Sequence, residues 1–213
     1  MPQIITSSKF TKANELNIPQ AEAFITENPA IETPNGKAFI DELCIKTEKE
    51  LLINALGLAT YNALQLALAD IDTPDNAKYK KLVQGDEYNN KIWIGLNSDY
   101  SCIVYRVLEL YLSSANKLLT GVGLVNANPE KSNLISPKIE IANANAKFIQ
   151  GYQAGFLQYP EISCDGLFID WYGTDQQNSN FVSLYQYLLD HPTDFSVDNF
   201  KGYGRETQNS FGI

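Results

Sequence analysis

The chain has 213 residues, of which 16 are Lys or Arg and 25 are Asp or Glu, for a formal charge of −9. At roughly 100–200 residues per domain that length suits one domain or one domain with extensions, and 44% apolar residues with 11% aromatics exclude a chain disordered throughout. The acidic balance excludes a tight grip on nucleic acid, which needs a basic face to neutralise phosphates, and argues equally against docking on an anionic membrane.

Met1–Ser8 lacks the charged start and long apolar run of a signal peptide. Ile4-Ile5 predicts a short strand or an extended arm, and Pro19, Pro29 and Pro34 divide residues 1–36 into an N-terminal arm of short elements. A helical core is expected over 37–156. Ala38, Phe39, Leu43, Thr47, Glu50, Leu51 and Leu56 recur at spacings of three and four, with Gly57 placed to end that helix. A second helix follows from about Leu58 to Asp70, as a hairpin or kinked helix with the first. Thr73-Pro74-Asp75-Asn76 starts a short helix through Val83, stopped by Gly85. After a polar link at Glu87–Asn90, a long central helix is expected over about Ile92–Leu119, apolar nearly all round, with Arg106 and Glu109 able to pair on its wetter edge. Its most apolar part, Ile103–Leu112, falls well short of the ~20 residues of a bilayer span.

A Gly-, Asn- and Ser-rich link, Thr120–Ser136, leads to a helix over Pro137–Phe156. Residues 157–180 form an irregular insertion in which Leu167–Tyr172 alternates like a short strand. A last helix is expected within 181–191, and 192–213 is an extended C-terminal arm. The fold class is therefore mainly α: a helical bundle of four or five helices with extended N- and C-terminal arms and a small irregular or β insertion.

Signatures of chemistry are scarce. Cys44, Cys102 and Cys164 form no CxxC pair, and the first two fall in apolar helical patterns that suit buried free thiols in a reducing compartment. His191, in Asp190-His191-Pro192, suits the last turn of a helix, bonding its final carbonyls. Thr120–Asn126 contains GxG without a third glycine, and it follows a helix where a dinucleotide fingerprint must follow a strand, so a turn is the plainer assignment. With no GxxxxGK[ST], HExxH or EF-hand loop, no catalytic residue, metal or cofactor is expected.

Two features remain. Between Lys147 and Lys201 there is no Lys or Arg, yet Glu161, Asp165, Asp170, Asp175, Asp190, Asp194 and Asp198 all fall there. Asp165 or Asp170 with Asp175, beside Phe168, Trp171 and Tyr172, could serve a carbohydrate-active hydrolase or a monomeric binding domain using 161–175. The plainer alternatives are a solvated acidic face, or a surface that repels phosphate or meets a basic partner. Second, Tyr159, Phe195, Phe200, Tyr203 and Phe211 lie in segments that read as extended. They either wrap their own domain or anchor on a neighbour, since a few large side chains supply most of an interface's energy.

The order of motifs resembles the head–tail connector (adaptor, or neck-ring) proteins of tailed bacteriophages, in the version found in phages of Bacteroidetes, including crAss-like phages. The matching pieces are Glu50-Leu51-Leu52 through Leu56-Gly57-x-x-x-Tyr61, Tyr79-Lys80-Lys81-Leu82-Val83-Gln84-Gly85-Asp86-Glu87-Tyr88, and Gly95-Leu96 opening an aromatic-rich helix. Thr120-Gly121-x-Gly123-x-Val125-x-x-Asn128-Pro129-Glu130-x-Ser132 and a final Asn-Ser-Phe-Gly-Ile complete the set, which covers about residues 40–132 and the C-terminal tail. The resemblance implies a structural virion protein with no enzymatic activity. It would be made in the host cytoplasm and placed at the head–tail junction, as a homo-oligomeric ring, commonly of twelve copies, below the portal protein. Such a ring extends the DNA channel, passing DNA without binding it specifically, and docks the tail or other neck proteins, with no membrane partner. On that expectation the C-terminal arm, with Phe200, Tyr203, Asn209, Phe211 and Ile213, carries protein interaction. Glu161, Asp165, Asp170, Asp175, Asp194 and Asp198 would form an acidic channel or docking surface. Residues 157–200 match no part of the family pattern.

Overall fold

The computed structural model describes residues 2–11, 16, 18, 36–115, 117–120, 123–126, 138–154 and 180–203. The chain is mainly α, with five α-helices and two β-hairpins among the described residues. Helix α1, Gly36–Ala67, is two helices joined at Gly57 (φ 77°, ψ 160°), so the glycine expected to end the first helix makes the bend between them. The kinked pair continues as a 3-10 turn, Leu68–Asp70. A second 3-10 turn, Pro74–Asn76, feeds α2, Ala77–Gln84, which stops at Gly85 as expected.

Two expectations fail between 86 and 119. The polar link is a β-hairpin: β1, Asp86–Tyr88, pairs antiparallel with β2, Lys91–Trp93. Its two-residue turn puts Asn89 and Asn90 at φ 47° and 62°, the left-handed conformation that asparagine tolerates and a tight hairpin needs. The long helix therefore starts ten residues late, as α3, Cys102–Ala115, with the Ser101 hydroxyl accepting from the Val104 N–H at 3.4 Å. The loop between β2 and α3 is pinned by a crossing of two glycines. A Cβ on Gly95 (φ 85°) would lie 2.5 Å from Gly85 N and 2.6 Å from Val83 O, and this close approach lets Leu96 and Asn97 donate to the Leu82 and Val83 carbonyls at the end of α2. Past α3, the chain forms β3, Lys117–Thr120, paired with β4, Gly123–Asn126, where helix and then a turn were expected.

Helix α4, Lys138–Gln153, agrees closely with expectation, and packs more extensively on α3 than any other pair of elements does. The all-round apolar character assigned to the central helix holds over its first two turns, where Cys102, Ile103, Val104, Tyr105, Val107 and Leu108 are all buried. Arg106 Nη1 donates to Glu109 Oε2 at 2.7 Å, the pair expected on the wetter edge. The last helix, α5, is Leu184–Asp190, shorter than expected because Ser183 caps it, accepting from the Gln186 N–H at 3.1 Å. Residues 180–182 are extended instead: Ile92 donates to Asn180 O at 2.7 Å and Val182 to Ile92 O at 3.0 Å, adding a parallel bridge to the open edge of β2. The insertion 157–180 lies outside the described residues apart from Asn180.

The N-terminal segment lies on the bundle. Ile5, Phe10, Leu16 and Ile18 are fully buried, and a 3-10 turn, Ser7–Phe10, carries the chain past α1. The longest uncharged run lies in α1 and not in Ile103–Leu112, which Arg106 and Glu109 interrupt. Leu51–Ala69 contains no charged residue, and by length and composition alone the helix Lys37–Asp70 could cross a membrane. Gly57 breaks that run, and Leu51, Leu52, Ala55, Leu56, Tyr61 and Leu64 are buried against the rest of the protein.

Candidate interaction surface

The C-terminal segment from His191 to Tyr203 is not a free arm. His191 Nδ1 lies 2.8 Å from Tyr187 O, the C-terminal carbonyl contact expected of it, and Pro192 follows. Phe195, 3% exposed, packs edge-on against Tyr79 at 6.2 Å. Phe200 stacks on Tyr152 at 4.9 Å and meets the Tyr185 ring edge-on at the same distance. Tyr203 meets Phe148 at 5.1 Å and Tyr152 at 5.4 Å, and the Arg106 guanidinium lies over both the Phe148 and Tyr203 rings.

The backbone is held as firmly. Lys201 N–H donates to Asn54 O at 2.8 Å, and Tyr152 OH donates to Lys201 O at 3.1 Å. The Gln153 side chain reads Tyr203 at both polar atoms, donating from Nε2 to its carbonyl at 2.8 Å and accepting from its N–H at Oε1. Asn54 Nδ2 donates to the Tyr203 hydroxyl, which donates to Glu50 Oε1, each at 3.2 Å. Burial first, then the neighbouring Tyr203, Cys102 and Glu50, push the Tyr152 hydroxyl well above the usual phenol range, so it stays a proton donor.

Phe200 and Tyr203 thus pack on their own domain, the first of the two uses that the sequence left open. The physical reason is a ready-made aromatic slot between α1 and α4, filled by the chain that passes it. Asn209, Phe211 and Ile213 lie outside the described residues. The receiving side of the slot was not singled out from sequence. Its one sign there is Gln153, an amide at helical spacing with Ile139, Ala142, Ala146 and Ile149.

Of the acidic candidates, Glu161, Asp165, Asp170 and Asp175 lie outside the described residues. Asp194 and Asp198 are exposed. The Asp198 carboxylate accepts from the Ser196 hydroxyl at 2.8 Å, and Lys78 Nζ reaches Asp194 O at 3.5 Å while lying over the Phe195 ring. Asp190 accepts from Lys91 Nζ at 2.6 Å, Tyr88 OH at 2.8 Å and Gln186 Nε2 at 2.9 Å. Burial pushes its carboxyl up, but these hydrogen bonds outweigh burial and hold it below the usual carboxylate range. A stretch without cations in sequence is therefore supplied with them in space: Lys78 and Lys91 come from the elements that 190–195 packs against.

Cys44 and Cys102 are buried free thiols, as expected, each pushed up to about 12, chiefly by burial. Cys164 lies outside the described residues. No group of three or more His, Cys, Asp or Glu side chains that could hold a metal ion occurs among the described residues. The most exposed large apolar side chains described on the kinked pair are Leu58 and Leu66, 59% and 79% exposed, about two turns apart on the second half of α1, with Phe39 and Ile45 about half exposed on the first. In comparisons with known proteins, no family model, no curated protein and no solved structure matches the chain.

Proposed function

We propose that the chain is a structural virion protein, a head–tail connector that assembles as a ring below the portal, extends the DNA channel and docks the tail or the next neck ring. The observation that carries this is the ordered motif set, which resembles that of such connectors. The described motif residues occupy fold-determining positions: Leu51, Leu52, Leu56, Tyr61, Tyr79, Leu82, Val83 and Leu96 are buried, Gly57 makes the bend in α1, and Gly85 and Gly95 make the backbone crossing.

Two further features support ring assembly. A closed ring needs a heterologous interface, in which two different patches of each copy meet. The uncovered Leu58–Leu66 face would supply one patch and the C-terminal residues 204–213 the second. The net charge of −9 suits a channel that passes DNA without gripping it.

The test is electron microscopy and native mass measurement of the full chain, alone and mixed with the portal protein of the same phage. Rings, or a ring-to-ring complex with the portal, are expected. A chain that stays monomeric and ignores the portal at all concentrations would overturn the proposal.

A further inference from the structure

The second half of α1 carries an uncharged strip. Leu58, Ala59, Asn62, Leu66 and Ala69 are all exposed there, and no charged residue interrupts Leu51–Ala69. Charge returns at both ends of the strip, and it is negative at both. Beyond Leu66 come Asp70 and Asp72, both exposed, the second paired with Lys80 at 2.8 Å. At the bend, Asn199 lies against Gly57, with the exposed Asp198 next to it in sequence.

Those charges select what can cover the strip. Two copies meeting strip to strip, with their helices running in either direction, bring acid onto acid at the ends, and like charges set opposite each other oppose association. A matching cover is apolar at its centre and cationic at its ends. Among the described residues the first half of α1 has that make-up. Phe39 and Ile45 are about half exposed, Lys37 stands before them and Lys46 and Lys49 after them, all three exposed. Glu42 and Glu50 share this surface. Glu42 stands one turn before Lys46, where the two offset each other, and Glu50 Oε1 accepts from the Tyr203 hydroxyl at 3.2 Å. Lysine stays in excess here, in a chain of net charge −9. The lengths match as well: Lys37 to Lys49 covers about 18 Å of helix and Gly57 to Asp70 about 20 Å. The other exposed large apolar side chains described, Tyr100, Ile139 and Leu189, stand singly and without a lysine excess, beside Asp99, between Lys138 and Glu140, and beside Asp190.

We propose that the Leu58–Leu66 face of one copy seats on the Phe39–Ile45 face of the next, with the acids at the ends of the strip meeting the lysines at the ends of its cover. The pairing rests on the ring assembly proposed above and names the surface that the strip meets. It is heterologous, so each copy offers both faces and the contact repeats head to tail until the ring closes. The Tyr203 bond to Glu50 brings the C-terminal segment to this same cover, and residues 204–213, assigned above to the second patch, follow Tyr203 in sequence. The apolar side chains supply the contact energy and the charges its direction.

The experiment mixes two surface variants of the full chain: one with the strip blocked, Leu58→Glu with Leu66→Glu, and one with the cover reversed, Lys46→Glu with Lys49→Glu. All four side chains are exposed, so both variants should melt close to the unmodified chain. In native mass measurement and sedimentation, each variant alone should stay monomeric where the unmodified chain forms rings. Their equimolar mixture should form a heterodimer and nothing larger, since one intact strip and one intact cover remain, with a Kd at least about tenfold below that of either variant with itself. Rings that persist in Lys46→Glu with Lys49→Glu, or a mixture that stays monomeric, overturn the pairing and leave ring assembly standing. If the unmodified chain forms no ring with or without the portal, ring assembly itself fails, and the mixture still decides the pairing: a heterodimer supports it and monomers overturn it. A monomeric mixture with portal binding lost in the strip-blocked variant overturns it in favour of the portal as the cover.

Discussion

Phe200 and Tyr152 stack at 4.9 Å with both rings buried, so truncating either leaves a hole that its neighbours cannot fill. Phe200→Ala should cost about 3–5 kcal/mol in denaturant unfolding, the range for a buried aromatic in a well-packed site. Asp190 makes a different claim on stability. Its carboxyl titrates lower in the folded than in the unfolded chain, so its contribution is fully present above the ordinary aspartate range and lost as pH falls through the folded-state value. Asp190→Asn should therefore flatten the acid limb of a stability-versus-pH curve while mainly lowering its neutral plateau. Cys44 and Cys102, buried and pushed up to about 12, should resist alkylation at pH 8 until the chain unfolds, as read by mass spectrometry of the labelled peptides. The thiols and His191 were legible from sequence, because a buried thiol and a helix-ending histidine are set by local pattern. The roles of Phe200, Tyr203 and Gln153 were not, because nothing local says which surface a distant segment will meet.

Helix limits were legible where periodicity and punctuation agreed, at Gly57, Pro74 and Gly85 and over α4, but the face of α4 was not: of Ile139, Ala142, Ala146, Ile149 and Gln153, set at helical spacing in the sequence, only Gln153 is buried, and the covered face is Ala144, Phe148, Gly151 and Tyr152. The failures share a cause. Ile92–Leu96 and Cys102–Leu112 are both rich in apolar residues, and short apolar runs do not separate helix from strand; the break between them is Gly95 with the polar Asn97-Ser98-Asp99. Gly95 decided the matter, by allowing two backbones to cross at a distance that no Cβ permits. Gly95→Ala should accordingly destabilise the protein by at least about 1–3 kcal/mol, since it forces both a strained φ and a backbone clash. Gly57→Ala should cost less, about 1–2 kcal/mol for the left-handed backbone, because the atom its Cβ would meet, 3.2 Å away, belongs to the movable Asn199 side chain. Thermal melts of the two variants side by side would test the ranking. The Asn89-Asn90 turn carried a weak hairpin signal, less familiar than Asn-Gly but of the same conformational kind.

For the whole molecule, the C-terminal slot separates residues that hold the fold, up to Tyr203, from those left to the proposed assembly contact. Removing residues 201–213 would take away Tyr203 and the Lys201 contact with Asn54, and should lower the melting temperature markedly. Removing 204–213 alone should leave the melt within a few degrees of the full chain, while weakening ring formation or portal binding. Truncation at 204 with unaltered assembly would take the arm out of the proposed interface. Charge substitutions on the uncovered α1 face, Leu58→Glu with Leu66→Glu, should likewise spare folding, both side chains being exposed, and abolish assembly in native mass measurement. Failure of the double variant to disturb rings would place that interface elsewhere.

The sequence by itself determined that this is a mainly helical acidic domain, where its helices bend and stop, and which thiols are inert. These follow from short-range rules, in which a residue's neighbours along the chain set its conformation and burial. Only the tertiary structure decided that Phe200 and Tyr203 belong to their own domain. It also showed that a cation-free stretch is met by lysines from α2 and β2, and that Glu48 lies buried beneath the N-terminal segment, accepting from the Ile4 and Ile5 N–H groups. Each of those depends on which segments distant in sequence share one surface, and in this chain the same aromatic residue suits an intramolecular slot and an intermolecular one equally until that slot has been built.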